Sequence, residues 1–428
     1  MSYKSILKLV WFPFLTILII YQLGPIEFNS NSYMAVIFLT LNYLLFTVGL
    51  SINKKKINSS SAIKNILTSF DLIYDKNYSK LLKISYFFTL LYFISFFISR
   101  IFSNQISIFD LETIGQNRNI KSFERNIGID RIGILSTLLS GFPLLILTFN
   151  FVYYKFLSKK LIITNFIIFF IFLYTSIVSG GRFVILIGII FFIILNYILK
   201  PYKKNKLLKV YYLYLIIPLL ILISLIFNMT IIRLSDSHQF DDINRIITSF
   251  GPTSVLDIRD SWSFIDNLSY DLKINLIFFI YYITHSIFFL NDIIINYSSI
   301  DGAPFFGQLQ FYQFTLFIDR FTPFTLPSVF SILDQLPQSG VYLSIVGPMI
   351  ADFGLYSHFL LSPLFGFLTG KVFISTNIKP NLFNVLFCTY FIIVIIFSPV
   401  ISMLGTSLMF PLFLNIILLF LINKFILK

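Results

Sequence analysis

The sequence predicts an all-α, polytopic membrane protein of about ten to twelve transmembrane helices, and three observations predict it. Of 428 residues, 57% are hydrophobic and only 12% are charged, whereas a soluble domain carries roughly 25% charged residues. The mean hydropathy is +0.85. The apolar residues also fall into long blocks that are almost free of charge, and a helix needs about 20 such residues to cross the hydrocarbon core. So many uncharged blocks cannot all be hidden from water in one globule, so the solvent around them is lipid.

The blocks run Leu9–Leu23, Tyr33–Ile52, Ile84–Phe102, Ile132–Tyr154, Leu161–Val178, Phe183–Leu199 and Val210–Phe227. The first is short, but no small-residue cleavage site follows it, so it reads as a retained anchor. After a polar stretch come Ile274–Ile295, then Val341–Ile374, then Leu382–Val400 and Met403–Ile422. Gly347, Pro348, Asp352 and Gly354 interrupt the block from Val341. Irregular backbone at membrane depth survives only inside protein or beside a wet cavity, which makes that block a candidate cavity wall. A lone cysteine, Cys388, excludes a disulfide framework and a cysteine metal cluster.

Lysine sets the expected orientation. Lys4 and Lys8 precede the first span, Lys54–Lys56, Lys64, Lys76, Lys80 and Lys83 fill the second connection, and Lys155, Lys159 and Lys160 the fourth. Lys200–Lys209 fill the sixth, and Lys371, Lys379, Lys424 and Lys428 mark the end. The alternation fits a cytoplasmic N-terminus and C-terminus in the cytoplasmic (inner) membrane. It also accounts for the net charge of +13 without nucleic acid as a partner. The stretch from Ile274 to Gly340 then crosses twice or not at all, giving twelve spans or ten.

All nine arginines fall outside in this topology, against the positive-inside trend. Guanidinium binds phosphate bidentately and stays protonated when partly desolvated, so an outer anionic ligand is the chemistry to look for. The chain reads as one integral membrane domain. Residues 228–273 form a major extracytoplasmic loop, and 296–340 a second extracytoplasmic or re-entrant segment. Trp262 and the apolar Ile246, Ile247 and Phe250 suggest that the first loop is folded or lies on the membrane.

Four motifs carry candidate chemistry. Gly180 and Gly181 allow a tight outer turn ahead of Arg182, whose helix N-terminus favours an anion. Arg233 lies just beyond the seventh span. Tyr281, His285, Asp292 and Asn296 are spaced by four, seven and four residues, and so share one helical face. His285 titrates near neutrality and is a candidate base, with Asp292 as the substitute. If that segment lies flat on the outer surface, the same stripe is simply its wet face. Asp352 either caps a helix start or orients an arginine.

The order and spacing of these motifs resemble the bacterial oligosaccharide repeat-unit polymerases, the O-antigen polymerase (Wzy) family. The resemblance rests on Gly180-Gly181-Arg182 between two mid-chain spans, Arg233 after the next, the large outer loop, Tyr281 to Asp292, and Asp352-Phe353-Gly354. It covers the chain from about residue 160 onward; before that only hydropathy matches. It implies a glycosyltransferase C-like fold and an undecaprenyl-diphosphate-linked oligosaccharide as substrate. Repeat units would be polymerised into O-antigen or capsular polysaccharide at the outer leaflet, with no cofactor and no metal. A chain-length regulator and a flippase are the partners it implies. Arg182 and Arg233 take the diphosphate-binding role by resemblance, with Gly180 and Gly181 beside them; Tyr281, Arg320 and Asp352 are further substrate-binding candidates.

The rival with the same chemistry is an O-antigen ligase. The rival from another class is a flippase or secondary transporter of the lipid-linked oligosaccharide, although such transporters are often built from inverted repeats with short loops. A non-enzymatic assembly partner is the third. The topology is the first thing to test. A cysteine at Ser237 is expected to react with an impermeant thiol reagent in intact cells, and one in the Ile52–Lys83 connection, such as Ser60, only after lysis. The opposite labelling would invert the membrane orientation and every site assignment with it.

Overall fold

A computed structural model describes residues 1–28, 32–66, 77–99, 131–178, 182–199, 255–299, 304–311, 315, 318, 343–406 and 408–427. The chain is mostly helical. In order, the helices are α1 (Tyr3–Leu23), α2 (Tyr33–Ser51), α3 (Lys54–Ile66), α4 (Tyr78–Phe97), α5 (Arg131–Leu139), α6 (Phe142–Val152), α7 (Lys159–Val178) and α8 (Arg182–Leu199). They continue as α9 (Tyr270–Ile295), α10 (Val346–Phe353), α11 (His358–Ile378), α12 (Leu382–Phe397) and α13 (Met409–Phe425). Seven helical stretches among the described residues are long and apolar enough to cross a membrane: α1, α2, α4, Ile132–Val152, Lys159–Ser176, Asn275–Ile295 and α11. Val184–Leu199, α12 and α13 are apolar but shorter. The expected span Val210–Phe227 lies outside the described residues.

Two expected spans are broken, each for a readable reason. Ile132–Tyr154 is two helices parted at Ser140–Gly141. Pro143, in the first turn of α6, has no N–H to give and its ring would strike the preceding turn, so the helix restarts there. A side chain at Gly141 would collide with the Leu412 backbone of α13. The block from Val341 divides into α10 and α11 at Gly354, whose φ of 95° suits glycine. The last helix starts at Met409 rather than Met403, because residues 403–405 form a 3-10 turn.

Close backbone approach joins α2 to α11. Ser362, Gly366 and Gly370 repeat every four residues along α11, the small-residue spacing that lets membrane helices touch. Ser362 donates a hydrogen bond to Asn42. A Cβ at Gly366 would overlap the Phe46 carbonyl oxygen, one at Gly370 would press on Asn53, and one at Gly49 would overlap Pro363. Asn53 reaches the Phe367 carbonyl at 3.0 Å. At the centre, α12 buries most of its side chains against α1, α6, α8, α11 and α13.

The lysine-bearing connections gather at one end. The Met1 amino group donates to Asn377 Oδ1 at 2.5 Å, Asn377 Nδ2 donates to Ser60 Oγ at 3.2 Å, and the Tyr3 N–H donates to Asn58 Oδ1 at 3.1 Å. Asn77 donates to Asn423 Oδ1 and the Leu427 carbonyl, each at 3.1 Å, while Tyr78 packs against Tyr153 and Phe156. These contacts join the start of α1, α3 and the end of α11, and likewise the start of α4, the α6–α7 connection and the end of α13. Ser60 is buried, so Ser59, exposed one residue earlier, is the better reporter for the labelling experiment. The native Cys388 is buried as well.

The opposite end carries a feature the sequence reading lacked. Strand β1 (Ile26–Phe28) pairs antiparallel with β2 (Val255–Ile258), with Ile26 opposite Ile258. A 3-10 segment, Asp260–Asn267, follows β2. The part of the long loop that is described is thus folded onto the end of α1, in line with the reading of Trp262.

Gly366→Ala is expected to force α2 and α11 apart, because the obstacle is backbone and cannot rotate away. Overpacking of this kind costs about 1–3 kcal/mol. Thermal unfolding in detergent should show a lower midpoint, and Ala at the exposed Ser375 of the same helix should not lower it. An unchanged midpoint for Gly366→Ala would contradict the contact.

Candidate functional site

Helix α9 positions the only buried imidazole among the sequence candidates. Its Asn275–Ile295 stretch is mostly enclosed by protein. Tyr281 and His285 stand one turn apart, and both are buried. Their rings stack at 5.1 Å, with Phe289 5.6 Å beyond His285 and Tyr282 edge-on at 6.0 Å. His285 Nδ1 lies 2.8 Å from the Tyr281 carbonyl oxygen. A carbonyl can only accept, so Nδ1 carries the proton in the neutral ring and Nε2 carries the lone pair. This is the tautomer that a proton acceptor needs.

The polar stripe is therefore not a wet face over its first half. Asp292, seven residues on, is half-buried, and Asn296 is exposed at the helix C-cap. Ser286 ties the same helix to the Pro399 carbonyl at 2.8 Å. The Tyr281 side of α9 joins a small apolar cluster with Ile26, Ile265 and Ile277, against which Trp262 packs. Farther along, the charges of Asp292 and Arg259 both act on the Tyr21 hydroxyl. That hydroxyl donates to Ser32 Oγ at 2.6 Å.

Arg259 is the arginine whose surroundings are best described. Its backbone N–H donates to the Pro25 carbonyl at 2.8 Å, and its guanidinium donates to the Gln22 carbonyl. Trp262 Nε1 donates to the Leu23 carbonyl at 2.8 Å. The Gln22 and Leu23 carbonyls are among the last four of α1, which have no partner inside the helix. A guanidinium there also meets the negative end of the helix dipole. The outer segment is pinned to the end of α1 in this way, and the charge of its guanidinium acts on Tyr21. The sequence reading counted Arg259 among the outer arginines but did not single it out. The missed signal was Trp262 three residues later, since the two act as one clamp.

Asp352 does not cap a helix start; it stands in the last turn of α10. Its carboxylate is fully buried and accepts the Leu309 N–H at 3.0 Å on one oxygen and the Gln310 N–H at 2.6 Å on the other. Its carbonyl takes the Phe306 N–H at 2.8 Å. Asp352 thus anchors the segment 304–311 across the chain.

Arg182 is the first residue of α8. Gly180, Gly181, Arg233 and Arg320 lie outside the described residues. His358, which the sequence reading passed over, is a second buried imidazole. It lies at the start of α11, with Nδ1 3.1 Å from the Leu355 carbonyl and its ring 5.0 Å from Phe38. A small cavity of about 20 Å³ lies among Asn42, Tyr43, Met349, Ser362 and Ser398. That is room for about one water, not for a sugar. Comparison with family models, with curated proteins and with solved structures finds no match.

Asp352→Asn should unfasten the 304–311 segment. The amide keeps one acceptor oxygen and turns an N–H donor toward a backbone N–H. The loss of a buried hydrogen bond of this kind costs about 1–3 kcal/mol. A lower unfolding midpoint and faster proteolytic cleavage near Gln308 are expected, and unchanged proteolysis would contradict the anchor.

Proposed function

We propose that the protein is a glycosyltransferase of the outer leaflet of the cytoplasmic membrane. It would polymerise oligosaccharide repeat units carried on undecaprenyl diphosphate, with the lysine-rich end in the cytoplasm. A hydroxyl of the acceptor unit attacks the anomeric carbon of the donor glycan. The new carbon–oxygen bond forms as the bond to the lipid diphosphate breaks. The hydroxyl proton passes to His285 Nε2, and the leaving diphosphate takes up negative charge. Fixed guanidiniums at Arg182 and Arg233 stabilise that charge as it develops.

One observation carries the reading: an imidazole whose Nδ1 is engaged by the Tyr281 carbonyl, which in the neutral ring places the lone pair on Nε2, buried on the helix that packs against the arginine-bearing outer segment. Buried ionisable groups in membrane helices are expensive and tend to mark function. An imidazole placed only for packing would be better replaced by an apolar ring. Asp292 is half-buried farther along the same helix and is the alternative base.

The test uses purified protein and lipid-linked repeat units. Wild type should lengthen the glycan on the lipid; transfer only to a lipid A core acceptor would indicate a ligase, and no transfer at all would sink the reading. His285→Gln keeps size and polarity but cannot take up a proton at neutral pH. It should lower the rate by about 10²–10⁴ while abundance and donor binding stay normal. Near wild-type turnover in that variant would remove His285 from the mechanism.

A further inference from the structure

The lysine end of the bundle holds a cluster of exposed cations among the described residues. Lys4, Lys54, Lys55, Lys56 and Lys371 are all exposed. Two contacts draw them together: Lys54 Nζ lies 5.6 Å from the centre of the Tyr3 ring, and Gly370, next to Lys371, packs on Asn53, next to Lys54. No Asp or Glu occurs in the stretches 1–8, 51–66 or 371–384 that build this corner. Lys54, Lys55 and Lys56 also fill the first turn of α3 with no acidic residue among them, where the helix dipole adds further positive potential.

Directly above these cations the surface is apolar. On α11, Leu360, Leu364 and Leu368 are exposed at helical spacing, and the stripe ends at Lys371. On α2, Leu44, Val48 and Ile52 are exposed, and Lys54 follows. On α1, Phe12, Leu15 and Ile19 continue the stripe that starts at Lys8. Three neighbouring helices thus present hydrocarbon and then a cation, in the same order along the same direction.

We propose that this corner, formed by Lys4, Lys54–Lys56 and Lys371, is a binding site for anionic phospholipid, with the headgroup phosphate among the lysines and the acyl chains along the α2–α11 wall. The pattern matches an amphiphile rather than a soluble phosphate, since the apolar stripes would be irrelevant to the latter. Lysine clusters beside membrane helices attract anionic headgroups by roughly 1 kcal/mol each, or about fivefold in affinity per lysine. The site is separate from the His285 face and does not depend on the reaction proposed there.

The test uses the full chain, purified in a neutral detergent, with bound lipid counted by native mass spectrometry and stability followed by thermal unfolding. The probes are dioleoylphosphatidylglycerol, dioleoylphosphatidylcholine and glycerol 3-phosphate. Phosphatidylglycerol should be retained and should raise the midpoint; the other two should do neither. Replacing Lys54, Lys55, Lys56 and Lys371 by Gln should weaken retention by roughly 600-fold, and replacing them by Arg should preserve it. Replacing Lys80, Lys83, Lys159 and Lys160 by Gln removes the same charge elsewhere on this end and should have little effect. Equal loss in that control would show diffuse charge attraction, equal binding of phosphatidylcholine would show no headgroup selection, and stabilisation by glycerol phosphate would show a soluble-anion site. Each of these three results overturns the proposal.

Discussion

Backbone polarity inside an apolar bundle is the constraint on which the rest of the structure depends. A helix satisfies its own N–H and C=O groups, but this chain breaks its helices in the interior. Each break must find partners within the protein, because lipid offers none. Two of the breaks solve the problem together. The Ile345 N–H donates to the Ser398 carbonyl at 2.9 Å, and the Ser402 N–H donates to the Leu343 carbonyl at 2.6 Å. The stretch before α10 and the turn after α12 therefore act as a short two-strand contact in the core. Gln310 joins them by accepting from Ser402 Oγ, and Asp352 holds Gln310 in place through its backbone. Tyr43 closes the other side with a 2.5 Å hydrogen bond to Ser398.

This junction explains why α9 is held so firmly. Ser286 reaches the same turn at Pro399, one residue from His285. A shift of the α12 turn would move the α9 register, and the imidazole with it. The small cavity beside Tyr43 and Ser398 lies in this network rather than at the His285 face, so it belongs to the scaffold. The packing of α2 on α11 supports the junction from outside, since Asn42 and Tyr43 on α2 meet Ser362 and Ser398 from two different helices.

Much of the helix inventory was legible in the sequence, because hydropathy reports directly on the solvent. The boundaries of α2, α7 and α8 fall within two residues of the apolar blocks. The error at α4, which begins at Tyr78 rather than Ile84, has a simple cause: Lys80 and Lys83 lie in its first two turns and can reach polar surroundings along their stems, so charge did not mark the helix start. Pro143 marks a break inside the block Ile132–Tyr154 that hydropathy alone does not show. The polar stripe on α9 was visible from its four-residue spacing, whereas its burial was not, since periodicity shows a face without showing what covers it. Asp352 and Arg259 were least legible. Their partners lie 42 and 237 positions away in the chain, and no local pattern encodes a contact of that range.

The burial of α12 bears on how the protein is made. Membrane helices leave the ribosome and enter the bilayer one after another, and α12 is the last but one among the described helices. It fills the space between α1, α6, α8 and α11, all of which have been inserted before it is synthesised. Until it arrives, the inward faces of those helices have lipid, not protein, against them. Polar groups such as the Tyr43 hydroxyl, which will meet Ser398, must wait without their final partner. The bundle therefore closes late in biogenesis, and a chain that ends before residue 382 leaves those inward faces uncovered.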